Sequence, residues 1–125
     1  MNTREVVLCK LVRTAIGGFN GSLKGVPATD LGASVVRETL RRSKLDADSI
    51  GSVVLGNVIQ AGNKINPARQ ASIGGGLPVS VPAMTVNRVC GSGAQAMSQP
   101  RSRSGQARCR RPSPAAWRTW IEPRT

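Results

Sequence analysis

The stretch Val86-Asn87-Arg88-Val89-Cys90-Gly91-Ser92-Gly93 constrains the fold more than any other. An apolar run ends in a thiol, and two glycines follow. Ala94-Gln95-Ala96-Met97 then favours helix. The pattern predicts a strand, a tight turn and a helix start, with Cys90 at the turn. Backbone N–H groups at a helix N-terminus lack intrahelical partners and carry partial positive charge. A thiolate placed there is stabilised, which makes Cys90 the candidate nucleophile. A buried structural cysteine at a strand end is the alternative, because free Cys is among the most buried residue types.

Upstream, the elements alternate. Val6-Val7-Leu8-Cys9 is a short apolar run that fits a buried central strand. Arg13 to Gly25 is rich in Gly and polar residues and reads as a loop. Its Gly17-Gly18 and Gly21 lack the Lys-Ser/Thr of a phosphate-binding loop and are read as a plain turn. Pro27 opens a helix that Thr29 or Asp30 can cap, with Ala28, Leu31, Val35, Val36 and Leu40 as its buried face. Arg37, Glu38, Arg41 and Arg42 fall on the opposite, solvated face. Ser52 to Ile59 is a second strand, and Gly56 near its end suggests a bulge or a close backbone approach. Pro67 starts a helix that Gly74-Gly75-Gly76 ends. Ala83 to Val89 is the third strand and delivers Cys90. The alternation implies an α/β fold with a mainly parallel sheet, whose sites form at the carboxyl ends of strands.

Composition narrows the function. The net charge of +12 is uneven: residues 98–125 hold seven of the eighteen Lys and Arg but one of the six acidic residues. Ser98-Gln99-Pro100 is expected to stop the third helix within about two turns. The Arg, Ser and Pro that follow lack apolar periodicity and read as disordered. The expected division is therefore 1–97, a folded unit, and 98–125, a tail. A nucleic-acid-binding tail is the non-enzymatic alternative, although it lacks interleaved aromatics and any nucleic-acid fold signature. Three Cys, an odd number, do not make a disulfide framework, and no His is present, so no metal site is expected. Reduced thiols suggest the cytoplasm. The uncharged run Gln70 to Asn87 contains two prolines and three glycines, and no membrane span is expected.

Asn87-Arg88-Val89-Cys90-Gly91-Ser92-Gly93-Ala94 resembles the nucleophile motif of the thiolases, the acetyl-CoA acetyltransferase family. Arg13-Thr14-Ala15-Ile16-Gly17-Gly18-Phe19, Leu55-Gly56-Asn57-Val58-Ile59-Gln60-Ala61-Gly62 and Asn66-Pro67-Ala68-Arg69-Gln70-Ala71 also resemble family stretches, in family order. The resemblance runs from about residue 4 to residue 97. It implies a truncated thiolase-like N-terminal half and an acyltransferase whose Cys90 forms an acyl-thioester. The implied substrates are acetyl-CoA or a 3-oxoacyl-CoA, so coenzyme A enters as substrate and no resident cofactor is implied. It also implies a homodimer or homotetramer. The family's His and second Cys have no counterparts here, so the fragment alone is expected to be inactive. Cys9 and Cys109 do not match the second-Cys motif.

Two related readings fit less well. A β-ketoacyl synthase-like enzyme shares the fold and a Cys nucleophile, but the Asn-x-x-Cys-x-Ser-Gly form favours thiolase. Gly91-Ser92-Gly93-Ala94-Gln95-Ala96 matches a dinucleotide-binding fingerprint, yet the acidic residue expected about twenty positions on is missing. The tail has its own explanation. Ala115–Thr125 can be back-translated so that a shifted frame reads Gly-Met-Glu-Asn-Met-Asp-Arg-Ala-Pro-Tyr, a thiolase-like segment. The tail is therefore expected to be a frame-shifted reading, which resequencing the source DNA checks.

Overall fold

The computed structural model describes the backbone of residues 10–103, 113–114 and 119–123, and side-chain surroundings for residues 10–99. The strand expected at Val6–Cys9 lies outside the described residues. Helix α1 spans Ala28–Ser43, and a single 3-10 turn at Ala47–Ser49 leads into strand β1, Ile50–Gly56. Helix α2, Pro67–Gly74, crosses to β2, Ala83–Val86. Helix α3 is Ser92–Arg103, and β3 and β4 are Ser113–Pro114 and Thr119–Pro123. The sheet order is β2-β1-β4-β3. The expected parallel pair is present, with Val53 opposite Ala83 and Gly56 opposite Val86.

Layering explains the unbroken apolar run in β1. Val53 and Leu55 pack with Val36 of α1 and Ala68 and Ala71 of α2. Val54 faces the other way, against Ala96 and Met97 of α3. A strand buried on both faces needs continuous rather than alternating hydrophobicity. The core is aliphatic, and Phe19 is fully exposed. In α1 the buried face is Ala33, Val35, Val36 and Thr39, with Leu31 and Leu40 half-buried. Ala28, expected on that face, is exposed at the first helical position. The two helices meet through small residues. A Cβ on Gly75 would stand 2.4 Å from Val36 Cγ1, and one on Gly32 would stand 2.9 Å from Ala71 Cβ.

Beside Ala28, five expectations need correction, the first being that the second strand spans Ile50–Gly56 rather than Ser52 to Ile59. The N-cap of α1 is Pro27 rather than Thr29 or Asp30, with no side-chain cap. Pro27 fixes the entry, its carbonyl accepting from Asp30 and Leu31 N–H at 3.0 and 3.2 Å, and this draws Thr29 and Asp30 inside the helix. Helix α3 does not stop at Pro100 but continues to Arg103. A proline removes one backbone bond, a local cost that the packing of α3 on β1 and β4 outweighs. Two parts of the expected disordered tail are strands, because β4 pairs antiparallel along the free edge of β1 and satisfies its backbone groups. The third strand ends at Val86 rather than Val89, and in the turn that follows the Asn87 side chain accepts from Val89 N–H.

Asn66 joins α2 to β2. At φ 50° it is left-handed, its Oδ1 accepts from Arg69 N–H at 3.3 Å, and its Nδ2 donates to the Ala83 carbonyl at 3.0 Å. The Thr85 hydroxyl donates to the same Oδ1 at 2.8 Å and accepts from Ala68 N–H at 3.0 Å. Asn66→Ala is expected to cost about 1–2 kcal/mol, as loss of a helix cap does, read by urea unfolding.

The solvated face of α1 is ordered by charge. Arg41 donates to both Glu38 carboxylate oxygens at 2.7 and 2.6 Å, and Arg42 donates to Oε1 at 2.6 Å. The hydrogen bonds from Arg41, then those from Arg42, hold the Glu38 carboxyl well below its ordinary 4.5, at about 2. A depressed carboxyl stabilises the fold above its unfolded pKa and loses that contribution as pH falls through the folded value. The stability difference between the parent and Glu38→Gln is therefore expected to hold steady above pH about 4.5 and to shrink towards pH 2. Thermal unfolding across that range checks it.

Candidate active site

Cys90 sits where the sequence places it, at the turn from β2 into α3, with an exposed thiol. The parallel pair β1–β2 ends at Gly56 and Val86, so the turn lies at the carboxyl end of both strands. There the end of β1 and the start of α3 touch. A Cβ on Gly56 would stand 2.6 Å from the Ser92 carbonyl carbon and 2.8 Å from Gly93 N. Gly56 is thus the close backbone approach expected from sequence, with the helix N-terminus resting on the strand end.

A cavity of about 600 Å³ opens beside the thiol. Cys90 and Val89 line it from the turn, Thr14 from the first loop, Asn57 and Ile59 from the segment after β1, and Ala71 from α2. Four stretches far apart in sequence therefore meet around one space. Thr14 Oγ1 is buried and has no hydrogen-bond partner among the described residues. The walls are mainly apolar, as small-molecule sites are. Gly17-Gly18 and Gly21 do form a plain turn, with Gly21 N–H donating to the Gly18 carbonyl at 3.0 Å.

The turn carries features that sequence reading missed. Val89 has φ 47°, a left-handed backbone that is exceptional for a β-branched residue. The Asn87 side chain bridges from this turn to the segment after β1, donating to the Val58 carbonyl at 3.0 Å. Ser92 is buried and its hydroxyl bonds back into the turn. Arg88 donates to Gln95 Oε1 at 3.3 Å. The signals are an Asn two residues before the strained position and a Ser two residues after the cysteine, but neither specifies the geometry by itself.

Cys9 and Cys109 lie outside the described residues. Among the described residues, no three His, Cys, Asp or Glu side chains come close enough to hold a metal ion. None of the described helices is long and apolar enough to cross a membrane.

An exposed cysteine thus stands at a strand-to-helix turn, on the wall of a mainly apolar cavity. The family "Thiolase, N-terminal domain" matches residues 6–106 of the chain. The chain belongs to the thiolase family. It is 54% identical over 94 residues to an acetyl-CoA acetyltransferase of Pseudomonas aeruginosa, covering 75% of this chain and 24% of that protein. It is 52% identical over 93 residues to a probable acetyl-CoA acyltransferase of Staphylococcus epidermidis, covering 74% and 24%. A beta-ketothiolase of Cupriavidus necator is 53% identical over 96 residues, with 76% and 24% covered. The chain thus spans about a quarter of the length of the curated relatives it matches.

Proposed function

We propose that Cys90 is the nucleophile of a thiolase-type acyl transfer. The observation that carries this reading is the exposed Cys90 thiol on the wall of the cavity at the carboxyl ends of β1 and β2. The Cys90 sulfur attacks the thioester carbonyl of an acyl-CoA, the bond to the coenzyme A sulfur breaks, and the acyl group is left on Cys90. The thiol proton ends on the departing coenzyme A, so the exchange balances as one thioester for another. The Cys90 backbone N–H, at the start of α3, suits a donor to the carbonyl oxygen as charge develops there. In condensation the α-carbon of a second acetyl-CoA gives up a proton and takes the acyl group, and the bond to the Cys90 sulfur breaks to restore the thiol; in thiolytic cleavage Cys90 instead attacks the 3-oxo carbonyl of a 3-oxoacyl-CoA, the bond between its α- and β-carbons breaks to release acetyl-CoA, and the acyl group passes to the sulfur of coenzyme A.

Condensation also needs an acid/base group at the α-carbon of the second acyl-CoA. The 125 residues contain no His. We therefore assign to them the acyl-accepting half of the chemistry and no complete turnover on their own. A homodimeric or homotetrameric assembly and a cytoplasmic setting belong to the same reading. Incubation with acetyl-CoA followed by peptide mass spectrometry tests it. The expected result is one hydroxylamine-labile acetyl group on the Cys90 peptide. No acetyl group, or equal acetylation of Cys9 and Cys109, would sink the assignment.

A further inference from the structure

We propose that Asn87 and Ser92 are positioning residues that lock Val89 in its left-handed conformation and thereby set where Cys90 presents its thiol. Both main-chain groups of Val89 are held by side chains. Its N–H donates to Asn87 Oδ1 at 3.0 Å, and its carbonyl accepts from Ser92 Oγ at 2.6 Å. The Ser92 backbone N–H reaches the same carbonyl at 3.0 Å, and the Ser92 hydroxyl also accepts from Arg88 N–H at 2.8 Å. Ser92 is only 4% exposed, so water does not compete for these bonds. Asn87 is anchored in turn to the Val58 carbonyl, which ties the lock to the segment leaving β1.

A valine does not stay at φ 47° by itself. Glycine reaches that conformation freely, yet valine occupies the position, so the restraint comes from its neighbours. Released, Val89 returns to negative φ. The chain then leaves β2 in another direction, and Cys90 moves off the start of α3. Val89 is 66% exposed, so replacing its side chain removes little packing.

This inference rests on Cys90 being the reacting group, and its test is separable from the acyl-transfer reading. The rate of iodoacetamide labelling is measured at Cys90, Cys9 and Cys109 in the full chain, with far-UV circular dichroism on each sample. Ser92→Ala and, separately, Asn87→Ala are expected to slow Cys90 labelling about three- to tenfold, the scale of a lost helix-terminus effect, while Cys9 and Cys109 keep their rates. Adding Val89→Gly to either variant is expected to restore the parent rate, and adding Val89→Ala is not. A cap serving stability alone would not be rescued by the backbone freedom of residue 89. Unchanged labelling in both single variants would overturn the proposal, as would failure of Val89→Gly to restore the rate. If Ser92→Ala unfolds the chain, recovery of the dichroism signal by Val89→Gly supports the lock, and no recovery overturns it. Rescue without acetylation by acetyl-CoA would sink the acyl-transfer reading and leave this one standing.

Discussion

Cys90→Ser is expected to abolish acetyl uptake from acetyl-CoA, by at least about a thousandfold, while leaving the unfolding midpoint in urea unchanged. A serine hydroxyl at neutral pH is a far weaker nucleophile than a thiolate, and removing a nucleophile commonly costs several orders of magnitude. The side chain is exposed, so the exchange of sulfur for oxygen breaks no buried contact, and surface changes of this kind stay within about 0.5 kcal/mol. The two readouts therefore separate chemistry from folding. Mass spectrometry of the acetylated peptides measures the first, and urea unfolding measures the second. A Cys90→Ser chain that takes up acetyl groups at the parent rate would place the nucleophile elsewhere.

Gly56→Ala should be the most damaging single methyl that can be added at this site. The new Cβ would stand 2.6 Å from the Ser92 carbonyl carbon and 2.8 Å from its oxygen. These are backbone atoms at the start of α3, so no side chain can rotate away. Either β1 or the helix must shift, and β1 is fixed by its pairing with β2 on one side and β4 on the other. The expected cost is about 2–4 kcal/mol, towards the upper end of overpacking effects. Because α3 carries the turn, Cys90 should also lose its labelling advantage over Cys9 and Cys109. Gly75→Ala is a useful comparison. Its Cβ would meet the Val36 side chain at 2.4 Å, and neither residue lines the cavity beside the thiol, so it should destabilise without selectively altering Cys90. Equal effects of the two substitutions on labelling would argue against a direct link between Gly56 and the nucleophile.

Local signals carried most of the site. The apolar run, the thiol and the glycines placed Cys90 at a strand-to-helix turn, and Gly56 announced a close approach, because each constraint lies within a few residues. The side-chain lock at Val89 was not legible. Asn87 and Ser92 are ordinary turn and cap residues by type, and only the three-dimensional turn shows that both bond to the same neighbour. Asn66 is not legible as a cap for a related reason, since two of its three side-chain bonds go to β2, seventeen or more residues away. Pro100 misled in the opposite sense. Its local preference was read correctly, but α3 packs on β1 and β4, and tertiary contact decides where the helix ends. Likewise, no compositional rule signals that Thr119–Pro123 would find the open edge of β1.

The central claim is that Cys90 alone among the three cysteines is placed to take an acyl group. The direct measurement is the rate of iodoacetamide alkylation at Cys9, Cys90 and Cys109, followed by peptide mass spectrometry with and without acetyl-CoA. Cys90 is predicted to react fastest in the folded chain, to lose that advantage in urea, and to be the one thiol that acetyl-CoA protects. Three equal rates, or protection shared by all three thiols, would contradict the account.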